Sequence, residues 1–180
     1  MTTPTATAFE DRLTLLESRV RRLEDELAIH RCIVAYGFAV DTGDAEATAR
    51  LFAEDGVYDV DGTLIMNGRE GLRSMVRGER HRSLLPNCAH TIGPAVVEID
   101  VDRAVATAYS RIYVRRKDGI ELLRLSFNRF ELDRRDDTWE ITRRTTRLVG
   151  SEAAQALLHR HLHGPFDASA ERQEDPDGPR

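Results

Sequence analysis

Leu13, Leu16, Val20, Leu23 and Leu27 recur at alternating spacings of three and four, with Glu and Arg at many of the positions between them. That period belongs to a long amphipathic helix, and Ile29, Ile33, Tyr36 and Val40 carry an apolar stripe on toward Asp41. Gly43, just past the last periodic residue, is placed to stop the helix in the left-handed conformation. The seam is too short for an independent coiled coil, so it is expected to cover its own domain, a partner subunit, or both. A second helix is predicted from the N-cap residue Asp44 through Ala47, Leu51 and Phe52, ending at the AEDG of residues 53–56. VYDVDG then reads as a short strand and turn, and NGREGLRSMVRGERH as a third helix with Leu72, Met75 and Val76 on one face. From His90 the period changes to that of strands. Four are predicted, divided at residues 100–102, 117–119 and 134–137, where Asp-Gly and Asp-rich connections signal hairpins. A last helix covers SEAAQALLHRHLHG, opened by Ser151 and closed by Gly164. Helices followed by an antiparallel meander make an α+β fold. Residues 1–8 and 165–180 are polar and expected to be unstructured, which leaves one domain over 9–164.

Composition narrows the function classes. A chain of 180 residues, 41% hydrophobic, is enough for one ordinary core. The net charge of −5 argues against a nucleic-acid binder, which gathers basic residues on one face. No apolar run approaches the ~20 residues that span a bilayer, and the N-terminus lacks a basic-then-apolar signal pattern. A cytoplasmic protein without membrane partners is the expectation. Cys32 and Cys88 make no disulfide framework, and both are expected reduced, with Cys32 as core filler.

Asp41 poses the chemical question. A carboxylate in the last turn faces the negative end of the helix dipole, at a cost of about 0.3–1 kcal/mol. Dipole and burial both favour its neutral form, so it needs either a raised pKa or a cationic partner. On an ideal helix of ~3.6 residues per turn, Tyr36 and Asp41 lie about 140° apart, so Asp41 must reach a shared site from the helix end.

The segments Y-x(4)-D-x-x-D from Tyr36, ARLFAEDGVYDVDG, NGREGLR, a lone His90 ahead of the meander, and W-E-I-T-x-R from Trp139 supply a context. Together, over residues 22–149, they resemble the SnoaL-like branch of the nuclear transport factor 2-like superfamily, which includes scytalone dehydratase, bile-acid dehydratase, ketosteroid isomerase and polyketide cyclases. The resemblance implies a cone-shaped NTF2-like fold: helices packed on a curved antiparallel sheet around an apolar pocket. It also implies a cofactor-independent dehydratase or isomerase, with His90 as base and acid, Asp41 as its orienting partner and Tyr36 as oxyanion donor. Arg144, Tyr113 and Tyr58 are the expected substrate contacts. The acid or histidine expected on a central strand is replaced by Tyr109, Ser110, Arg111 and Tyr113. The substrate class is hydrophobic and polycyclic or polyketide-like, and the assembly a homodimer or homotrimer. Two alternatives remain open: an aldol cyclase using the same base, and a non-catalytic small-molecule-binding module.

Other constellations carry less. His159 and His163 fall on one helical face and His161 on the other, so no metal site is expected. Asp55, Asp59 and Asp61 lack the loop spacing of a calcium site. Cys88 shares a strand face with His90 and reads as an inert thiol. Arg103, Arg111, Arg115 and Arg129 read as a solvated or subunit-facing surface.

Overall fold

The structure, a computed structural model, describes residues 6–163. Helix α1 runs from Ala6 to Asp41, followed by α2 (Ala45–Arg50), β1 (Phe52–Val60), β2 (Leu64–Asn67), α3 (Gly68–Arg77) and α4 (Glu79–Arg82). Strands β3 (Cys88–Ile92), β4 (Val96–Asp100), β5 (Arg103–Arg116), β6 (Gly119–Arg135) and β7 (Thr138–Leu148) precede α5 (Glu152–His163). The expected α+β order is what the chain adopts. The expectations for residues 1–5 and 164–180 lie outside the described residues, while residues 6–8 belong to α1.

One seven-stranded sheet runs in the order β2-β1-β7-β6-β5-β3, with β4 also paired to β5. The meander β5-β6-β7 is antiparallel throughout, but β1 lies parallel to β7, so the sheet is mixed rather than wholly antiparallel. That pairing also shortens the predicted second helix. Phe52 pairs with Ile141, which draws the residue after the Leu51 cap into the sheet. A register shift between Phe52 and Val57 absorbs the AEDG segment, which lies within β1 instead of forming a loop. Gly78 has extended backbone, with φ −65° and ψ 149°, and this breaks the predicted third helix into α3 and α4. The first strand of the predicted meander is likewise two, β3 and β4, interrupted around Gly93 and Pro94 and both paired to β5.

The core joins one face of α1 to the concave side of the sheet. Ile29, Ile33, Tyr36 and Val40 meet Phe52, Leu72, Phe130, Leu132 and Ile141. Side chains of this size contribute about 1.5–3 kcal/mol each when fully buried. Asp25, one turn above Ile29, takes a bidentate pair of hydrogen bonds from Arg134 at 2.7 and 2.6 Å and one from the Trp139 indole at 3.2 Å. Arg134 also stacks on the Trp139 ring, 4.5 Å from its centroid. This cluster clamps the middle of α1 to the β6–β7 hairpin. Above it the helix leaves the domain: every residue from Phe9 to Glu24 is exposed. The seam from Leu13 to Leu27 stays about half exposed or more and takes no part in the core. Arg129, expected on a solvated or subunit-facing surface, is buried within the chain itself and donates from Nε to Glu131 at 3.1 Å. Among the described residues no helix is long and apolar enough to cross a membrane.

Candidate active site

Helix α1 ends where the sequence places its stop. Gly43 has φ +70° and its N–H donates to the Val40 carbonyl at 3.0 Å, while the Asp44 N–H reaches back to Ala39. Asp41 is thereby the last helical residue, and its carboxylate points at the first strand of the meander. One oxygen accepts from the His90 backbone N–H at 2.7 Å, and the other meets His90 Nδ1 at 2.6 Å. The Cys88 thiol donates to the same carboxylate at 3.5 Å. A carboxylate only accepts, so Nδ1 carries the proton, and in neutral His90 the lone pair lies on Nε2. Nε2 has no hydrogen bond to the described residues.

His90 lines a cavity of about 860 Å³. Tyr36, Tyr58 and Arg144 line it as well, and apolar side chains such as Met66, Met75 and Ile92 make up much of the remaining wall. Asp41 does not line it. It stands behind His90, so the helix end supports the imidazole from outside the cavity. Tyr113 is corrected: it does not line the cavity, because alternation along β5 brings Ser110 and Ile112 inward and turns Tyr113 to the other face.

Two further residues escaped the sequence. His81, in the short α4, donates from Nε2 to the Val40 carbonyl at 2.8 Å, satisfying one of the open carbonyls at the α1 C-terminus. Its ring is buried, lines the cavity and lies 6.0 Å from the His90 ring. Nothing in the RGERH run marks a cap. Asn128, fully buried on β6, accepts through Oδ1 from Arg144 Nε and Nη2 at 3.0 and 2.9 Å and from Thr146 at 2.7 Å, and donates to Ser110 at 2.7 Å. Arg144 itself is 2% exposed, and its guanidinium lies over the rings of Tyr36 (4.1 Å) and Tyr58 (4.4 Å). It makes no ion pair with a described carboxylate, and its Nη1 has no hydrogen-bond partner. A buried cation held by ring faces and one amide is unusual, since such charges are ordinarily paired. It favours negative charge nearby.

The electrostatics answer the question Asp41 posed. Burial pushes its carboxyl up, but the hydrogen bonds and charge of His90 outweigh burial and hold it below the usual range. Burial, the Tyr58 ring hydroxyl and the deep setting push the Tyr36 phenol far up, with Arg144 opposing, so it stays an O–H donor at neutral pH. Burial and the Asp41 charge push the Cys88 thiol up to about 11, which fits an inert, protonated sulfur. The Asp41, Cys88 and His90 donor atoms lie within 4.8 Å of one another. With the thiol protonated and Nδ1 bonded to the carboxylate, they form a hydrogen-bonded set.

An acid-stability prediction follows. Hydrogen bonds from Arg134 lower the Asp25 carboxyl, and those from Arg147 and the Gly62 N–H outweigh burial to lower Asp59, as His90 does for Asp41. Each folded-state pKa is below the unfolded value of about 3.9. Between the two values the unfolded chain binds more protons, so stability rises with pH. The contribution is complete above about pH 4 and is lost as pH falls through the folded values. Urea midpoints measured against pH should drop below that point, and more steeply for the wild type than for Asp41→Asn, which has lost one of the linked groups.

Comparison with known proteins agrees with this architecture. No curated protein matches the chain. An NTF2-like protein of cystatin-like fold from Novosphingobium aromaticivorans is 39% identical, with a TM-score of 0.78 over 81% of this chain and 96% of that one. A second protein from that organism, provisionally described as an aromatic ring hydroxylase, is 30% identical, with a TM-score of 0.56 over 72% of this chain and 92% of that one. A Catenulispora acidiphila protein in complex with S-DNPA shares the fold at 20% identity, with a TM-score of 0.60 over 68% of this chain and 92% of that one. The SnoaL-like domain profile matches residues 21–145. Helix, mixed sheet, apolar-walled cavity and profile agree, and the chain belongs to the SnoaL-like domain family, with NTF2-like, cystatin-fold structural relatives.

Proposed function

We propose that this protein is a cofactor-independent dehydratase or isomerase that moves a proton alpha to a carbonyl in a hydrophobic, polycyclic or polyketide-like substrate. The observation that carries this reading is the 2.6 Å contact between Asp41 and His90 Nδ1, with the other side of the imidazole opening on an apolar cavity. Asp41 holds the tautomer that leaves Nε2 as base and stabilises the imidazolium once it forms. His90 Nε2 takes the alpha proton, and the electron pair of the broken C–H bond moves onto the carbonyl oxygen. The Tyr36 hydroxyl and the uncompensated Arg144 charge stabilise that enolate. In dehydration the enolate collapses, expelling the beta hydroxyl, which leaves as water with the proton His90 took up. In isomerisation the same proton returns to carbon at another position. No electron acceptor or co-substrate is needed in either case. The C. acidiphila relative with a bound small molecule is consistent with a ligand in this cavity.

The test is made with the full chain in D₂O and a panel of fused-ring β-hydroxy ketones and unsaturated ketones. NMR should show alpha deuteration of those that bind, with water loss or double-bond migration in the best of them. Binding without exchange or conversion across the panel would leave a binding module and defeat the proposal.

A further inference from the structure

Helix α1 presents two faces, one toward the domain and one apolar and open. Asp25, Ile29, Ile33, Tyr36 and Val40 face the domain, whereas Leu13, Leu16, Val20, Leu23 and Leu27 are between 47% and 65% exposed. At ~3.6 residues per turn the two stripes lie on nearly opposite sides of the helix, about 155° apart. A second helix could therefore run along the outer stripe without meeting the domain. Phe9 and Val34, also exposed, extend the outer stripe in both directions at the same spacing. The part of α1 from Phe9 to Glu24 is exposed at every residue, and helices of such length are marginal alone in water. Something must cover this face.

The heptad positions say what. Leu13, Val20, Leu27 and Val34 occupy a, and Phe9, Leu16, Leu23 and His30 occupy d. Valine at alternate a positions with leucine at d favours two parallel strands, and a polar residue at one seam position fixes register. The flanking charges agree. In a parallel pair each g residue faces the e residue of the partner five positions on. That sets Arg12 against the partner's Glu17, Arg19 against the partner's Glu24, and Glu26 against the partner's Arg31. Each of these pairs is attractive. An antiparallel pair matching a with d would instead bring Glu17 against Glu24. The mixed charge of the polar face, with Asp11, Glu17 and Glu24 among Arg19, Arg21 and Arg22, does not suit an anionic lipid surface. The chain beyond Asp167 is polar and offers no matching stripe.

We propose that α1 pairs with α1 of a second copy in a parallel, in-register two-stranded coiled coil. The protein is then a dimer whose two domains hang from the same end of the stalk.

Sedimentation equilibrium of the full chain should give twice the monomer mass of 20.3 kDa. L16K/L23K should give the monomer mass with the near-UV spectrum of the folded sheet retained. R12E/R19E and E17R/E24R should each be monomeric alone and form a dimer when mixed. L13C should cross-link to itself on mild oxidation, under conditions where the wild-type thiols do not. The proposal fails if the wild type is a monomer at every concentration, or sediments as three chains. It fails equally if L16K/L23K stays associated, if L13C cross-links only to a His30→Cys chain, or if the wild type binds anionic vesicles in place of itself.

Discussion

His90→Gln is expected to lower the rate of alpha-proton exchange by about 10²–10⁴-fold, the range general acid–base catalysis typically supplies. The loss should appear in kcat while substrate affinity and the cooperative melt change little. Glutamine keeps the backbone N–H that bonds Asp41 at 2.7 Å, so the join between β3 and the helix end survives. The companion change, Asp41→Asn, separates positioning from shape. An asparagine can turn its NH₂ toward Nδ1, which moves the imidazole proton to Nε2 and removes the base without removing the ring. A loss of about 10²-fold or more is expected from the wrong tautomer alone. Single-turnover rates and ligand affinity, measured side by side, check both. If both variants retain wild-type rates, the pair is a structural tether and the cavity a binding site.

Gly37→Ala should be nearly as damaging, although residue 37 touches no substrate. A Cβ there would overlap the His90 carbonyl oxygen on β3. Helix propensity points the other way, since replacing a mid-helix glycine with alanine ordinarily stabilises by about 1 kcal/mol. Overpacking against backbone costs about 1–3 kcal/mol and cannot be relieved by turning a side chain. Close packing therefore wins, and the variant should melt lower than the wild type. Relief of the overlap moves β3 off the helix by on the order of 1 Å, a displacement that can cost about 10²-fold in rate. Paired melting and exchange measurements decide it. A raised melting temperature with unchanged turnover would mean that propensity governs this position and that the β3 contact is loose.

Gly37 also shows where the sequence stops being legible. A glycine within an apolar-periodic helix signals some packing reason, but only the fold reveals that a strand lying 51 residues on crosses there. The long helix, its Gly43 stop and the β5-β6-β7 hairpins were readable because period, left-handed glycine and Asp-Gly turns are local. The start of β1 at Phe52 was not, because its pairing with Ile141 is a long-range, parallel contact that overrides a helical pattern. In the site, Asp41 and His90 could be singled out, and their pairing expected, from an ill-placed acid and from family resemblance. Which ring nitrogen makes the bond, and the second bond from the His90 backbone N–H, could not. Tyr113 was misplaced because aromatic character alone does not give strand parity, and β5 shifts register against β6 between Ile112 and Tyr113. His81 and Asn128 act through a helix-end carbonyl and a buried amide, partners that no short motif records.

Because Asp41 sits outside the cavity, the support that fixes the His90 imidazole and the wall that would select a ligand belong to separate parts of the molecule. Leu64 and Leu123, at the cavity wall and themselves open to water, can be exchanged without disturbing the helix end that steadies His90. Selectivity in such a molecule can drift, or be engineered, one wall residue at a time over an unchanged reaction centre.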